Sequence, residues 1–233
     1  MDGENPLEIL ARRIIGCSLC PRLSRYRVEV AKKYSNKSFW SKPVPGYGDP
    51  MARIFVVGLA PAARGGNRTG RIFTGDETSN NLMRALYETG YANQPYSISR
   101  DDGLILRDIY LTASVKCVPP ENRPARKEIL NCSNYLVEEI RVLGRSRVFI
   151  ALGRIAWDSL KHAVGIALGA SIPSYSFHHG AEYMVETRLR GGVWLIASYH
   201  PSPRNMRTGR LSRNMLVKIF KRARELADLY SQG

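Results

Sequence analysis

Apolar residues along the chain recur with two different periods. In residues 6–16, Leu7, Ile9, Leu10, Ile14 and Ile15 gather on a helical stripe that Gly16 stops, and a second, very basic helix is expected over about 21–34. Residues 35–50 carry three prolines, two glycines and Trp40, the composition of an ordered loop. From there, continuous β-branched runs alternate with helical spacing. Strands are expected at 53–58, 109–115, 147–152 and 193–198, and helices at about 78–89, 125–143, 153–164 and 211–230. Strand–helix alternation implies right-handed crossovers, hence an α/β fold of three layers, α/β/α, around a central, mainly parallel four-stranded sheet. The span 1–233 reads as a single domain, with no linker or internal repeat dividing it. In such sheets ligands bind beyond the carboxyl ends of the strands. The two most unusual loops, after Gly58 and after Ser198, both lie there.

Composition adds a partner. Hydrophobic residues make up 44%, enough for a substantial core, and 35 Lys+Arg against 20 Asp+Glu give a formal charge of +15. The resulting positive field attracts polyanions, nucleic acid first among them; an acidic protein partner and mere solubility are the rival readings. The acidic start at Met1 is not a secretion signal. The most apolar run, 163–172, is ten residues, where a membrane helix needs about twenty. The expected location is therefore the cytoplasm, at the nucleoid, with no membrane contact. Glutamine occurs only at Gln94 and Gln232 while arginine abounds, a bias associated with thermophiles.

The four cysteines form one arrangement: Cys17 and Cys20 two residues apart, then Cys117, then Cys132 after fourteen intervening residues. Two thiolates on one turn and two distant ones can complete four-coordination of a metal centre. Four unrelated buried thiols and a disulfide pair are the competing readings, and spacing alone does not separate zinc from an iron–sulfur cluster.

The loop GLAPAARGGNRTGRIFTGD, from Gly58 to Asp76, is a glycine-rich segment feeding a helix N-terminus, where free backbone N–H groups favour an anion or a carbonyl oxygen. It lacks the Gly-Lys-Ser/Thr ending of a nucleotide-binding loop, which disfavours ATP or GTP hydrolysis. Together with HPSPRN from His200 to Asn205, and VKCVPPENRP around Cys117, it resembles the uracil-DNA glycosylase superfamily, most closely its family 5 (type B) thermophilic members. The three motifs arrive in the family's order.

That resemblance implies a [4Fe–4S] cluster on Cys17, Cys20, Cys117 and Cys132, and a DNA repair enzyme that flips uracil out of DNA and hydrolyses the bond joining base to sugar. Its partner would be DNA containing uracil or other deaminated bases; no replication or repair protein partner is readable. Cleavage develops positive charge on the sugar and negative charge on the departing base, so the site needs donors, a flat surface and a carboxylate. By match to the family, His200 is the donor to the base, and Phe73 is the ring that stacks on it. Backbone groups of Gly58, Leu59, Ala60 and Ala62 contact the base. Asp76 is the carboxylate that orients water or stabilises the sugar cation, with a helix N-cap as its rival reading. Arg204, Asn205 and Arg207 are expected to contact DNA, against the alternative of a solvated basic face. The chain departs from family 4, which has GEAPG where this sequence has Leu59-Ala60-Pro61-Ala62. Ala113 also stands where family 4 often carries a pyrimidine-reading Asn, which implies broader base selection, hypoxanthine or xanthine included. The alternatives are a non-catalytic iron–sulfur or zinc nucleic-acid-binding protein, and a phosphate-transferring α/β enzyme.

Overall fold

The computed structural model describes residues 4–34 and 38–230; the acidic start at 1–3, the first part of the expected loop at 35–37, and Gln232 lie outside the described residues. Two helices lead, α1 (Pro6–Ile15) and α2 (Pro21–Lys33). The side chain of Asn5 caps the first by accepting from Leu7 N, and each has proline in its first turn, where a missing N–H costs nothing.

The sheet comprises β1 (Tyr47–Gly48), β2 (Ile54–Gly58), β3 (Ile109–Ala113), β4 (Val148–Leu152), β5 (Glu182–Thr187) and β6 (Gly191–Ser198), in the spatial order β1-β3-β2-β4-β6-β5. The four inner strands are parallel and correspond to the four expected from sequence. The sheet has six strands rather than four, because an antiparallel strand closes each edge: β1 beside β3, and β5 beside β6. Both escape a search for continuous apolar runs. β1 is two residues among prolines and glycines, and β5 alternates buried Val185 and Thr187 with exposed Met184 and Glu186, as an edge strand with one wet face does.

Strand side chains alternate between two cores. Ile54, Val56, Leu111, Ile150 and Ile196 pack with α4 (Glu77–Glu88) and α8 (Arg213–Asp228). Phe55, Val57, Phe149, Ala151 and Leu195 pack on the other face with α5 (Arg126–Val142) and α6 (Arg154–Leu168). Three layers result, as expected. Helix α6 runs four residues beyond the expected end at 164, through Gly165, and stops at Gly169, whose φ of +68° suits glycine. Two short helices, α3 (Gly66–Thr69) and α7 (Pro203–Arg207), sit in the loops after β2 and β6. Among the described residues no helix is long and apolar enough to cross a membrane.

Candidate active site

The carboxyl ends of β2, β4 and β6 open into a cleft of about 510 Å³. Leu59, Ala60, Ala62, Phe73, Asp76 and His200 all line it, so the glycine-rich loop and the histidine segment converge as their positions at strand ends demand. Arg154, Ile155 and Ala156, the first turn of α6, complete the wall between them. Their N–H groups are those a helix leaves without internal partners, and they bring the positive end of a 15-residue helix to the cleft.

Phe73 owes its position to backbone strain and to a missing side chain. Its φ is +50°, the left-handed region that non-glycine residues seldom adopt. Its ring lies against Gly58, where an added Cβ would stand 2.6 Å from Cζ. Gly58 therefore sits behind the ring rather than on the cleft wall. The segment around Phe73 is clamped from below. The guanidinium of Arg71, 3% exposed, donates to Thr74 Oγ1 at 3.0 Å, Ser97 Oγ at 2.8 Å, Arg100 O at 3.1 Å and Asp102 Oδ2 at 2.7 Å. Gly75 N donates to Ser97 O at 2.7 Å. Burial pushes the Asp102 carboxyl up, but Arg71 and the N–H groups of Ile98 and Leu104 outweigh it and hold the group below its ordinary value. The bracket is thus a charged pair with its remaining lone pairs satisfied, and it fixes the loop that carries Phe73 and Asp76.

Asp76 divides its two oxygens. Oδ1 accepts from Ser79 N at 2.7 Å and caps α4, while Asp76 N donates to Ser79 Oγ at 3.0 Å. Oδ2 has no donor among the described residues and lies over Gly65, where a Cβ would stand 2.8 Å from it. The cap and the free carboxylate oxygen therefore coexist in one side chain. The N–H groups of Ala60 and Ala62 likewise have no acceptor among the described residues, whereas the carbonyls of Gly58 and Leu59 are taken by Ser114 N and Val115 N.

His200 follows the end of β6. Neither ring nitrogen has a partner among the described residues, and burial alone pushes its pKa down to about 4. A neutral imidazole with an N–H to give is the consequence. The turn that carries it is held from both sides: Asn205 Nδ2 donates to His200 O at 2.8 Å, and Asn81 Nδ2 of α4 to Pro201 O at 3.1 Å. Asn205 thus braces the histidine segment. Arg207 pairs with Glu77 at 2.9 Å, while Arg204 is exposed on α7 without a carboxylate partner among the described residues. These three lie outside the cleft wall.

The sequence does not single out Asn122, yet it lines the cleft. It adopts φ +56°, next to Glu121 at +52°, and its exposed side-chain amide is uncommitted among the described residues. Asparagine tolerates this conformation better than most residues, so the sequence Pro-Pro-Glu-Asn held a faint signal. Ala113, by contrast, is buried in the core below and does not reach the cleft.

None of the four cysteines forms a disulfide, and all four border one small hollow with Leu23, Pro43 and Lys116. Among the described residues no group of three or more His, Cys, Asp or Glu side chains is arranged to hold a single metal ion. The surroundings suit a group with negative charge on sulfur. Arg27 donates to Cys117 Sγ at 3.2 Å and Asn131 to Cys20 Sγ at 3.4 Å, and Arg27 Nε is buried with no partner among the described residues. Burial raises Cys117 and pushes Cys132 up to about 12, so thiolates persist there only beside positive charge such as a metal group supplies. The hollow joins the turn between α1 and α2, and α2 itself, to α5 and to the segment after β3, where a buried Lys116–Glu139 pair at 2.7 Å also bonds Thr112.

Residues 45–224 match the family profile of the uracil DNA glycosylase superfamily. The chain is 47% identical to the type-5 uracil-DNA glycosylase of Pyrobaculum aerophilum, over 91% of this chain and 89% of the relative. Identity to the type-5 enzyme of Thermus thermophilus is 43%, over 95% and 99%. With the type-4 enzyme of Sulfurisphaera tokodaii it falls to 28%, over 95% and 84%. On the cleft, its framework and these likenesses together, the chain belongs to the uracil DNA glycosylase superfamily, in its type-5 branch.

Proposed function

We propose that the protein excises uracil from DNA by hydrolysing the N-glycosidic bond, leaving an abasic site. The observation that carries this reading is the convergence of Phe73, Asp76, His200 and the free N–H groups of Ala60 and Ala62 on one base-sized cleft. An extruded uracil would lie on the Phe73 ring, sequestered from the stack it left. As the bond to the sugar lengthens, negative charge gathers on the base oxygens. His200, neutral at physiological pH, donates to that charge without first giving up a proton, and the α6 N-terminus adds its positive end. Asp76 Oδ2 holds the attacking water or faces the developing sugar cation, and Asn122 is placed to read a polar edge of the base. The cleft, at about 510 Å³, has room for a purine, and hypoxanthine and xanthine are proposed as further substrates.

A duplex oligonucleotide carrying one uracil, incubated with protein and then treated with alkali, tests the activity. Strand scission at the uracil is expected, and binding without scission would leave only a DNA-binding protein. Repeating it with hypoxanthine tests the wider range. Because an added methyl at position 58 would collide with the stacking ring, Gly58→Ala should lower excision about tenfold or more, read against its melting temperature as a control for folding.

The cysteines are proposed to hold a [4Fe–4S] cluster, with Cys17, Cys20, Cys117 and Cys132 as ligands and Arg27 and Asn131 donating to their sulfurs. Its contribution is to fasten the N-terminal helices to the rest of the fold. Protein purified under reducing, oxygen-poor conditions should be brown and carry four irons per chain, and Cys132→Ser should bleach it and lower its melting temperature. Stoichiometric zinc in place of iron would overturn the cluster.

A further inference from the structure

Beside the cleft, on the side of β2 and β3, aromatic rings carry a set of cations that the chemistry of base excision leaves unused. Trp40 is the pedestal. Its backbone N donates to Arg68 O at 2.9 Å, its Nε1 to Pro43 O at 3.1 Å, and its ring packs on Gly70. The Arg100 guanidinium sits over that ring at 5.0 Å and the Lys42 ammonium at 5.6 Å. Arg64 sits over Tyr34 at 5.6 Å. None of the three cations has a carboxylate within 4.0 Å or a side-chain hydrogen bond among the described residues, and all three are exposed. Arg64 lies between Ala62 and Gly66, both on the cleft wall, and Arg68 fills the space over Gly75, next to Asp76. The patch therefore begins at the mouth of the cleft and leads away from it.

We propose that Lys42, Arg64 and Arg100 form a track that grips the phosphates of the DNA strand flanking the extruded base. The inference rests on the reading of the cleft as a site for a flipped base. A guanidinium held over a ring and free of carboxylates keeps its N–H donors for another acceptor, in the fork that matches a phosphate. The ring contact also restrains a side chain that otherwise loses much rotamer freedom on binding. Several cations elsewhere are held by carboxylates instead: Arg22 pairs with Glu128, Arg207 with Glu77, and Arg213 with Glu88.

The test is fluorescence anisotropy with single-stranded DNA lacking uracil, titrated across salt concentrations. The triple variant Lys42→Gln, Arg64→Gln, Arg100→Gln keeps side-chain length while removing three charges. Each phosphate contact contributes about 0.7 to the slope of log affinity against log salt, so the slope should become shallower by about 2. A control triple, Arg107→Gln, Arg145→Gln, Arg188→Gln, removes the same charge at the amino-terminal end of the parallel strands, away from the cleft, and should leave the slope unchanged. An unchanged slope in the track variant, or an equal loss in the control, overturns the proposal. With uracil-containing DNA the track variant should raise KM about tenfold or more and leave kcat near that of the parent. A protein that shows the salt response but cuts no uracil DNA would keep the track and sink the glycosylase reading.

Discussion

His200→Ala is expected to lower uracil excision by about 10²- to 10³-fold, the cost of removing one preorganised donor to a developing anion. Affinity for uracil-containing DNA should change little, because Phe73, the cleft walls and the surface cations remain. The reason lies in the state of the imidazole. Burial holds its pKa at about 4, so the ring is neutral across the physiological range and needs no partner to remain so. The excision rate should therefore show no His200 ionisation near pH 6.5 and should fall only as the pH approaches 4. A break near 6.5 that disappears in the variant would contradict this. The same depression has a consequence for stability. The folded pKa lies below the ordinary value of about 6.5, so the unfolded chain takes up the proton first. The stability contributed by the neutral ring is complete above about pH 6.5 and is lost as the pH falls through about 4. His200→Ala should be correspondingly less acid-sensitive in that window, as melting temperature against pH would record.

Asp76 calls for two substitutions, since it has two jobs. Asp76→Ala removes both the cap of α4 and the free carboxylate oxygen; it should cost about 1 kcal/mol of stability and about 10² or more in rate. Asp76→Ser keeps an oxygen able to accept from Ser79 N and should restore most of the stability. If the carboxylate takes part in the chemistry, the serine variant stays about 10²-fold slow despite its recovered melting temperature. Near-normal excision by Asp76→Ser would confine the residue to capping.

The parallel core of the fold was legible because each inner strand is a run such as Ile54–Gly58 or Val148–Leu152, apolar on both faces. The edge strands were not, since a strand with one wet face resembles an ordinary polar loop. Within the site, the cleft-facing positions could be read from the two motifs, but their supports could not. Arg71 and Asp102 stand thirty-one residues apart, and nothing in either stretch announces that a loop after α4 will reach under the one after β2. Asn122 lay hidden for another reason: its place on the cleft depends on two consecutive left-handed residues, which a propensity reading of Pro-Pro-Glu-Asn does not anticipate. Asn205 was expected among DNA contacts, and the bond to the His200 carbonyl gives it a bracing duty that a motif cannot reveal.

The close fit of Phe73 over Gly58 limits how relatives of this chain can vary. At φ +50°, β-branched residues are disfavoured at 73, and any side chain at 58 must take volume from whatever lies above it. A bulkier residue at one position demands a smaller or differently turned one at the other. Those two sites are free to drift only as a pair.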